Sequence, residues 1–277
     1  MIIDPGIPCP ICKFPECQIG WNIVTGIGSF RIAYCPDCHL GFNDPMPHFE
    51  KTQEYYVKDD FYCKPSYNPP DQDIEVYSWT SKKLASMLGK TGNILDIGCG
   101  RGDFLNFMRE RGWRVQGIEI HPGLVDICES RGITCQIGEL GTLSFPENFF
   151  DAITFRDVLE HIPTPPHQVL SHTAQWLKPG GVMYIKVPNL DWISGPLGKL
   201  YKRGFDPGVH LYHFSQKALR RCLERAGLKP LAWDMEPPSA GSLKKYLGYL
   251  ILKLAEVMTI RRFPQVYFSL AVFACKK

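Results

Sequence analysis

The chain has 277 residues, enough for one large domain and a small appendage, and its hydrophobic content of 44% is that of a globular protein. A net charge of +3 is too small to argue for nucleic acid as the partner, and no apolar run reaches the ~18–20 residues that span a bilayer. The 11 cysteines follow an opening segment, Met1 to Gly6, without a basic stretch and apolar core; the expectation is a reducing, cytoplasmic setting with some thiols on a metal, not a disulfide framework.

The first predicted unit is a cysteine module over residues 1–45. Cys9-Pro10-Ile11-Cys12 and Cys35-Pro36-Asp37-Cys38 place four thiolates in two short turns, a donor set suited to tetrahedral zinc at ~2.3 Å per Zn–S bond. Its role would be structural, because so short a segment buries too little apolar surface to fold alone. Knuckles of this kind often carry Gly right after the second Cys; here Lys13 and His39 stand there, and Cys17 and His39 are alternative ligands. Residues 46–74 are rich in Tyr, Pro and Asp and read as an irregular linker.

From residue 75 onward helical and strand patterns alternate. An amphipathic helix is expected over 75–89, with Val76, Trp79, Leu84 and Leu88 facing inward. Strands are expected at 93–97, 114–118, 134–137, 152–155, 182–187, 231–235 and 266–274, with helices over 103–111, 122–131, 167–177 and 215–226. Such alternation predicts an α/β domain with a mostly parallel sheet covered on both faces. In sheets of this type ligands bind at the carboxyl ends of the strands.

The segment Asn93-Ile94-Leu95-Asp96-Ile97-Gly98-Cys99-Gly100-Arg101-Gly102 runs an apolar strand straight into three alternating glycines. Glycine lets the backbone pass close to a ligand and take positive φ. Alone, the turn also fits dinucleotide binding or an empty strand-to-helix turn. Asp96 favours S-adenosylmethionine, because a carboxylate suits the cationic ammonium of a methionine moiety and would repel a pyrophosphate. Glu119 closes the next strand roughly 20 residues further on, where an acid can hold both ribose hydroxyls.

Leu95-Asp96-Ile97-Gly98-Cys99-Gly100-Arg101-Gly102 resembles the first signature motif of the Rossmann-like S-adenosylmethionine-dependent methyltransferases. Phe145 to Ile153 resembles the entry to their fourth strand, and Val158-Leu159-Glu160-His161-Ile162 the helix after it. Leu177-Lys178-Pro179-Gly180-Gly181 resembles the turn into the fifth strand. His213-Phe214-Ser215, Leu219 and Ala226-Gly227-Leu228 resemble the late helix. The resemblance covers roughly 75–277. It implies a seven-stranded, mostly parallel sheet. Asp96, Gly98 and Gly100, with Cys99 between them, would meet the methionine part, and Glu119 with Ile120 the ribose. Glu139 and Leu140 would lie near the adenine, Glu139 in place of the commoner Asp, and Phe155 and Arg156 beneath the methionine part. Cys35 to Pro47, followed by Tyr55-Tyr56 and Phe61-Tyr62, is similar to a bacterial methyltransferase group with an N-terminal zinc ribbon, common in glycan, nucleotide-sugar and natural-product pathways.

Methyl transfer needs proximity, orientation and sometimes a base. His161 is the first candidate base and His210 the second; each has a purely structural alternative. Asp157, Glu160 and His161 sit at i, i+3 and i+4, which a helix would gather on one face. Similar sets bind a divalent metal in some quinone O-methyltransferases. Residues 189–213 are a candidate substrate lid. The basic run Lys199, Lys202, Arg203, Lys217, Arg220, Arg221, Arg225 and Lys229 is either a solvated face or a surface for an anionic acceptor. An amphipathic stretch over about 243–262 is expected to pack on the domain, with contact to a membrane surface as the minority reading. The leading expectation is a methyltransferase for a small-molecule or glycan acceptor. An RNA base methyltransferase and a quinone-type O-methyltransferase with peripheral membrane association are the alternatives. Against RNA stand the near-neutral charge and a cysteine module poor in Lys and Arg.

Overall fold

A computed structural model describes residues 2–3, 6–25, 28–58, 63–64, 72–191, 209–234 and 269–276. Two sheets organise them. The larger has seven strands: β5 (Asn93–Ile97), β6 (Arg114–Glu119), β7 (Thr134–Ile137), β8 (Phe150–Arg156), β9 (Leu177–Pro188), β11 (Leu228–Asp234) and β12 (Ser269–Lys276). Their order is β11-β12-β9-β8-β5-β6-β7. The pairs β5–β6, β5–β8, β6–β7 and β8–β9 are parallel, and β12 runs antiparallel to both its neighbours. This is the mostly parallel sheet of the Rossmann-like methyltransferase fold.

The central strands are apolar because both faces are covered. Ile94, Ala152, Val182 and Tyr184 pack on one side with Leu84 of α2 (Gln72–Leu88) and Phe104, Leu105 and Met108 of α3 (Asp103–Arg109). Leu95, Ile97, Ile153 and Phe155 alternate to the other side. There they meet α5 (Pro166–Trp176) and α6 (Gln216–Arg225), through Leu170, Trp176, Leu219 and Leu223. Helix α4 (Pro122–Ser130) covers the β6–β7 edge.

The second sheet is antiparallel, in the order β1-β2-β3-β4-β10. Ile2–Ile3 (β1), Gln18–Thr25 (β2), Gly28–Tyr34 (β3) and Gly41–Asp44 (β4) come from the cysteine module, and Tyr212–His213 (β10) returns from the far half of the chain. Tyr212 pairs with Phe42 and His213 with Gly41. Cys9, Ile11, Cys35, Cys38 and Leu40 belong to the same apolar cluster as Leu95 and Phe155, so the module shares the core of the main domain. Arg225 donates to the Ile11 carbonyl and Lys217 to that of Asp37. Arg220 lies over the Trp233 ring and Arg221 pairs with Glu224. Lys217 and Arg225 of the basic run therefore fasten the module to the main domain, whereas Lys229 is exposed; 199, 202 and 203 lie outside the described residues.

Two expectations are corrected. The stretch read as an irregular linker contains α1 (Phe49–Val57), and α2 already begins at Gln72. The helix expected after the fourth strand is only a tight turn over Leu159–His161. Pro163, Pro165 and Pro166 follow it, and their missing N–H groups stop its continuation. Most of the candidate lid (192–208) and all of 243–262 lie outside the described residues.

Candidate active site

A cavity of about 700 Å³ opens at the carboxyl ends of β5, β6 and β8. Its floor is the glycine turn. Gly98, Gly100 and Gly102 all have positive φ, at 68°, 56° and 75°, a region costly for side chains. A Cβ on Gly98 would lie 2.4 Å from a Val158 methyl carbon, while around Gly100 nothing stands within 4 Å of that position. Gly100 thus presents bare backbone to the cavity. The Gly98 and Cys99 amides donate to the Ile118 carbonyl at 2.8 and 3.1 Å, so the turn is clamped to β6.

Asp96 projects from the end of β5 and is buried. Burial raises its carboxyl to about 6, against the opposing pull of Arg156 and a 2.5 Å hydrogen bond donated by Thr154 Oγ1. Glu119 ends β6. Its Oε2 accepts the Gly100 amide at 2.8 Å, and its Oε1 accepts those of Ile120 and His121 at 2.8 and 3.1 Å. Burial still raises its affinity for a proton, opposed by those three amides. A carboxylate has further lone-pair sites for ligand hydroxyls. Ile120, Glu139 and Leu140 line the same cavity. The Arg156 guanidinium lies 4.6 Å from the centroids of both the Tyr77 and Phe104 rings. Phe155, expected beside it, is not a lining residue: strand alternation turns it into the core on the opposite face, where it is fully buried.

The other end of the cavity is built by residues far apart in sequence. Tyr56 of α1 lies 2.6 Å through its hydroxyl from His161 Nδ1, and the Val209 carbonyl is 3.1 Å from the same nitrogen. Burial and the neighbouring His210 lower His161 to about 4, so its ring is neutral at pH 7. Asp157, at φ 55°, breaks from the helix face expected for it and pairs with Lys186 at 2.7 Å. Glu160 is fully buried, and neither carboxylate oxygen has a hydrogen-bond partner among the described residues. His161 Nε2 is 3.8 Å from Glu160 Oε1. Burial, then Asp157, raises Glu160 well above the usual carboxylate range. Glu160, His161 and His210 therefore form the cluster in place of Asp157, Glu160 and His161. The sequence reading missed Tyr56 and Lys186; the Tyr55-Tyr56 pair was the available signal for the first, and a lone strand-end lysine gave none.

Outside the cavity lining, Cys9, Cys12, Cys35 and Cys38 converge, with Sγ–Sγ distances of 3.6 Å (Cys9–Cys38) and 3.4 Å (Cys12–Cys35). The Cys12 and Cys38 amides each approach the first sulfur of their pair at 3.5 Å. Lys13 and His39 take the left-handed φ of 66° and 62° that glycine would supply in such a knuckle. His39 is exposed and stacked on Tyr34, and Cys17, though buried, stands outside the four-sulfur set. The donor chemistry fits tetrahedral zinc.

The family model for the methyltransferase domain matches residues 75–232. Phosphoethanolamine N-methyltransferase 1 of Zea mays is 32% identical over 144 residues, covering 46% of this chain and 28% of that protein. Ubiquinone biosynthesis O-methyltransferase of Coxiella burnetii is 28% identical over 106 residues, covering 36% of this chain and 45% of that protein. The matches thus span between about a quarter and a half of these curated relatives. Among solved structures, the 1,6-didemethyltoxoflavin-N1-methyltransferase of Burkholderia thailandensis, with its substrate and S-adenosylhomocysteine bound, superposes with a TM-score of 0.57 at 16% identity. It covers 94% of this chain and 99% of that one. An S-adenosylmethionine-dependent methyltransferase from Mesorhizobium loti gives 0.51 at 20% identity, covering 72% and 97%. At these identities the structural likeness shows the fold.

Proposed function

Because the chain belongs to the methyltransferase domain family and has its Rossmann-like fold, we propose that it transfers the methyl group of S-adenosylmethionine to a small-molecule or glycan acceptor held beside Tyr56 and His161. The observation that carries this is the cradle of Asp96, bare Gly100 backbone and Glu119 around one cavity. When bound, S-adenosylmethionine supplies a methyl group on a sulfonium leaving group. Asp96, ionised, meets the ammonium of the methionine part. Glu119 receives the ribose hydroxyls, with Ile120 beside it, and Leu140 and Glu139 flank the adenine. Asp96 and Glu119 lie at adjacent strand ends, so the cofactor would be held at both ends of its polar half.

The acceptor's proton needs a destination. In the tautomer with its proton on Nε2, facing Glu160, His161 accepts the Tyr56 hydroxyl on Nδ1. The Tyr56 oxygen then takes the acceptor's proton as its own passes to His161, and the Val209 carbonyl is placed to accept from the imidazolium Nδ1–H so formed. This makes Tyr56 and His161 a pair, with His210 packed on His161 at 4.8 Å between ring centroids. Zinc at the four cysteines would hold the N-terminal turns and take no part in the transfer.

One observation favours a second reading. The buried Glu160, whose carboxylate oxygens accept no hydrogen bond among the described residues, lies beside His161 and His210 and suits a divalent cation, as in a quinone-type O-methyltransferase. Loss of activity on chelation, restored by Mg²⁺ but not by Zn²⁺, would select that reading.

The experiment is transfer of label from methyl-labelled S-adenosylmethionine into a cell extract divided into RNA, lipid and small-molecule or glycan pools. Label is expected in the last pool and absent with the Asp96→Ala variant. Label in RNA would overturn the acceptor assignment, and label unaffected by Asp96→Ala would overturn the cofactor site.

A further inference from the structure

We propose that Cys99, Cys128 and Cys135 form a second metal site, for a soft thiophilic cation, directly behind the glycine turn. The three come from separate elements: Cys99 from the turn itself, Cys128 from α4 and Cys135 from β7. Their sulfurs lie within 4.8 Å of one another, with Cys99 3.5 Å from Cys135 and 3.9 Å from Cys128. Ligand sulfurs sharing one ion at ~2.3 Å stand about 3.8 Å apart in a tetrahedral arrangement. The four N-terminal cysteines show the same spacing, at 3.6 and 3.4 Å. Two cysteine clusters in one chain thus have the geometry of a shared ion.

Two glycines let the sulfurs close up on bare backbone. A Cβ on Gly117 would fall 2.5 Å from the Cys99 sulfur, and one on Gly102 would fall 3.0 Å from that of Cys128. The Gly100 carbonyl oxygen stands 3.3 Å from Cys128 Sγ and 3.9 Å from Cys99 Sγ, at a fourth corner beside the triad. All three cysteines are buried, so an ion is shielded from water. Cys99 lines the cavity, which provides the path of entry. Three thiolates select soft ions such as Cd²⁺, Zn²⁺ or Cu⁺ over Mg²⁺ or Ca²⁺. Binding exchanges the thiol protons for the ion. The peptide of Gly100 joins the two chemistries: its carbonyl faces the sulfurs and its amide is bonded to Glu119. Occupancy therefore bears on the turn that faces the cavity.

The test is titration of the full chain, reduced and metal-free, with Cd²⁺, read by equilibrium dialysis and by thiolate-to-cadmium absorbance in the ultraviolet. The wild type is expected to bind two thiolate-held ions per chain, the count throughout being of ions that carry the thiolate-to-cadmium absorbance. Cys128→Ala and Cys135→Ala, made separately so that one poorly folding variant does not decide the matter, should each bind one. The Cys9→Ala/Cys12→Ala double variant should also bind one and keep part of the absorbance. A wild type binding one ion, lost with the double variant, overturns the proposal. So does a second ion retained by Cys128→Ala and Cys135→Ala alike. These counts do not depend on methyl transfer, so the metal site and the proposed activity can fail separately.

Discussion

Asp96 couples two opposite demands on one carboxyl. Burial favours its protonated form in the free protein and raises it to about 6, whereas an ammonium ligand requires the ionised form. A group raised in this way lets the folded state hold its proton longer than the unfolded chain, so stability falls as pH rises through the window from the usual carboxylate range to about 6. Cofactor affinity is expected to run the other way, weakening by up to roughly tenfold for each pH unit below about 6. Calorimetric titration with S-adenosylhomocysteine across that range checks this, and Asp96→Asn should flatten the dependence while weakening binding throughout. At the other end of the cavity, Tyr56→Phe removes the hydroxyl bonded to His161. It is expected to lower kcat by about 10²-fold with little change in KM. A change confined to KM in steady-state kinetics would leave Tyr56 as a wall of the cavity only. Asp96 and Glu119 were legible in the sequence because each closes an apolar strand at a fixed distance from the glycines. Tyr56 was not, because the contact that gives it meaning, with His161, joins residues 105 positions apart.

The turns and helix ends carry tests of their own. Gly98→Ala would force a Cβ to within 2.4 Å of Val158 at a φ of 68°. A loss of about 2–3 kcal/mol is expected, with the melting temperature lowered and cofactor binding impaired. Ser215 caps α6 by accepting the Ala218 amide at 3.0 Å, and it donates to the Cys38 carbonyl at 3.1 Å. Ser215→Ala is therefore expected to cost about 1–2 kcal/mol in chemical denaturation, near the upper end for a cap, because it also orphans a carbonyl of the cysteine module. Most of the strands and helices of the large sheet could be read from periodicity, since each is long enough to show its buried face. The turn at Leu159–His161 could not: its apolar spacing imitates a helix, and three downstream prolines override it. Helix α1 was hidden by its composition, because the polar run from Glu50 to Glu54 fills its middle and leaves no broad apolar stripe.

Across the whole molecule, the cysteine module is bound to the main domain by a shared strand, a shared core and the Arg225 and Lys217 contacts. Sequence texture marked the module but not its attachment, because two residues of strand leave no periodic signal and the partners of Gly41 and Phe42 lie in the distant 212–213 segment. With zinc at the four cysteines as proposed, stripping it is thus expected to reach the cavity. Chelation should raise amide exchange at Tyr212 and His213 and lower activity, whereas a detachable module would leave both unchanged. The described helices include none long and apolar enough to cross a membrane.

That shared strand also sets an order of events during synthesis. The N-terminal sheet gains its last strand only when Tyr212 and His213 have been made, and Cys38 its bond only when Ser215, 177 residues later, has followed. On a ribosome adding roughly 5–20 residues per second, the cysteine module would wait many seconds with one edge open. Early capture of a metal ion would hold its two turns during that interval, so metal supply is expected to govern the yield of nascent chains more strongly than the survival of finished ones.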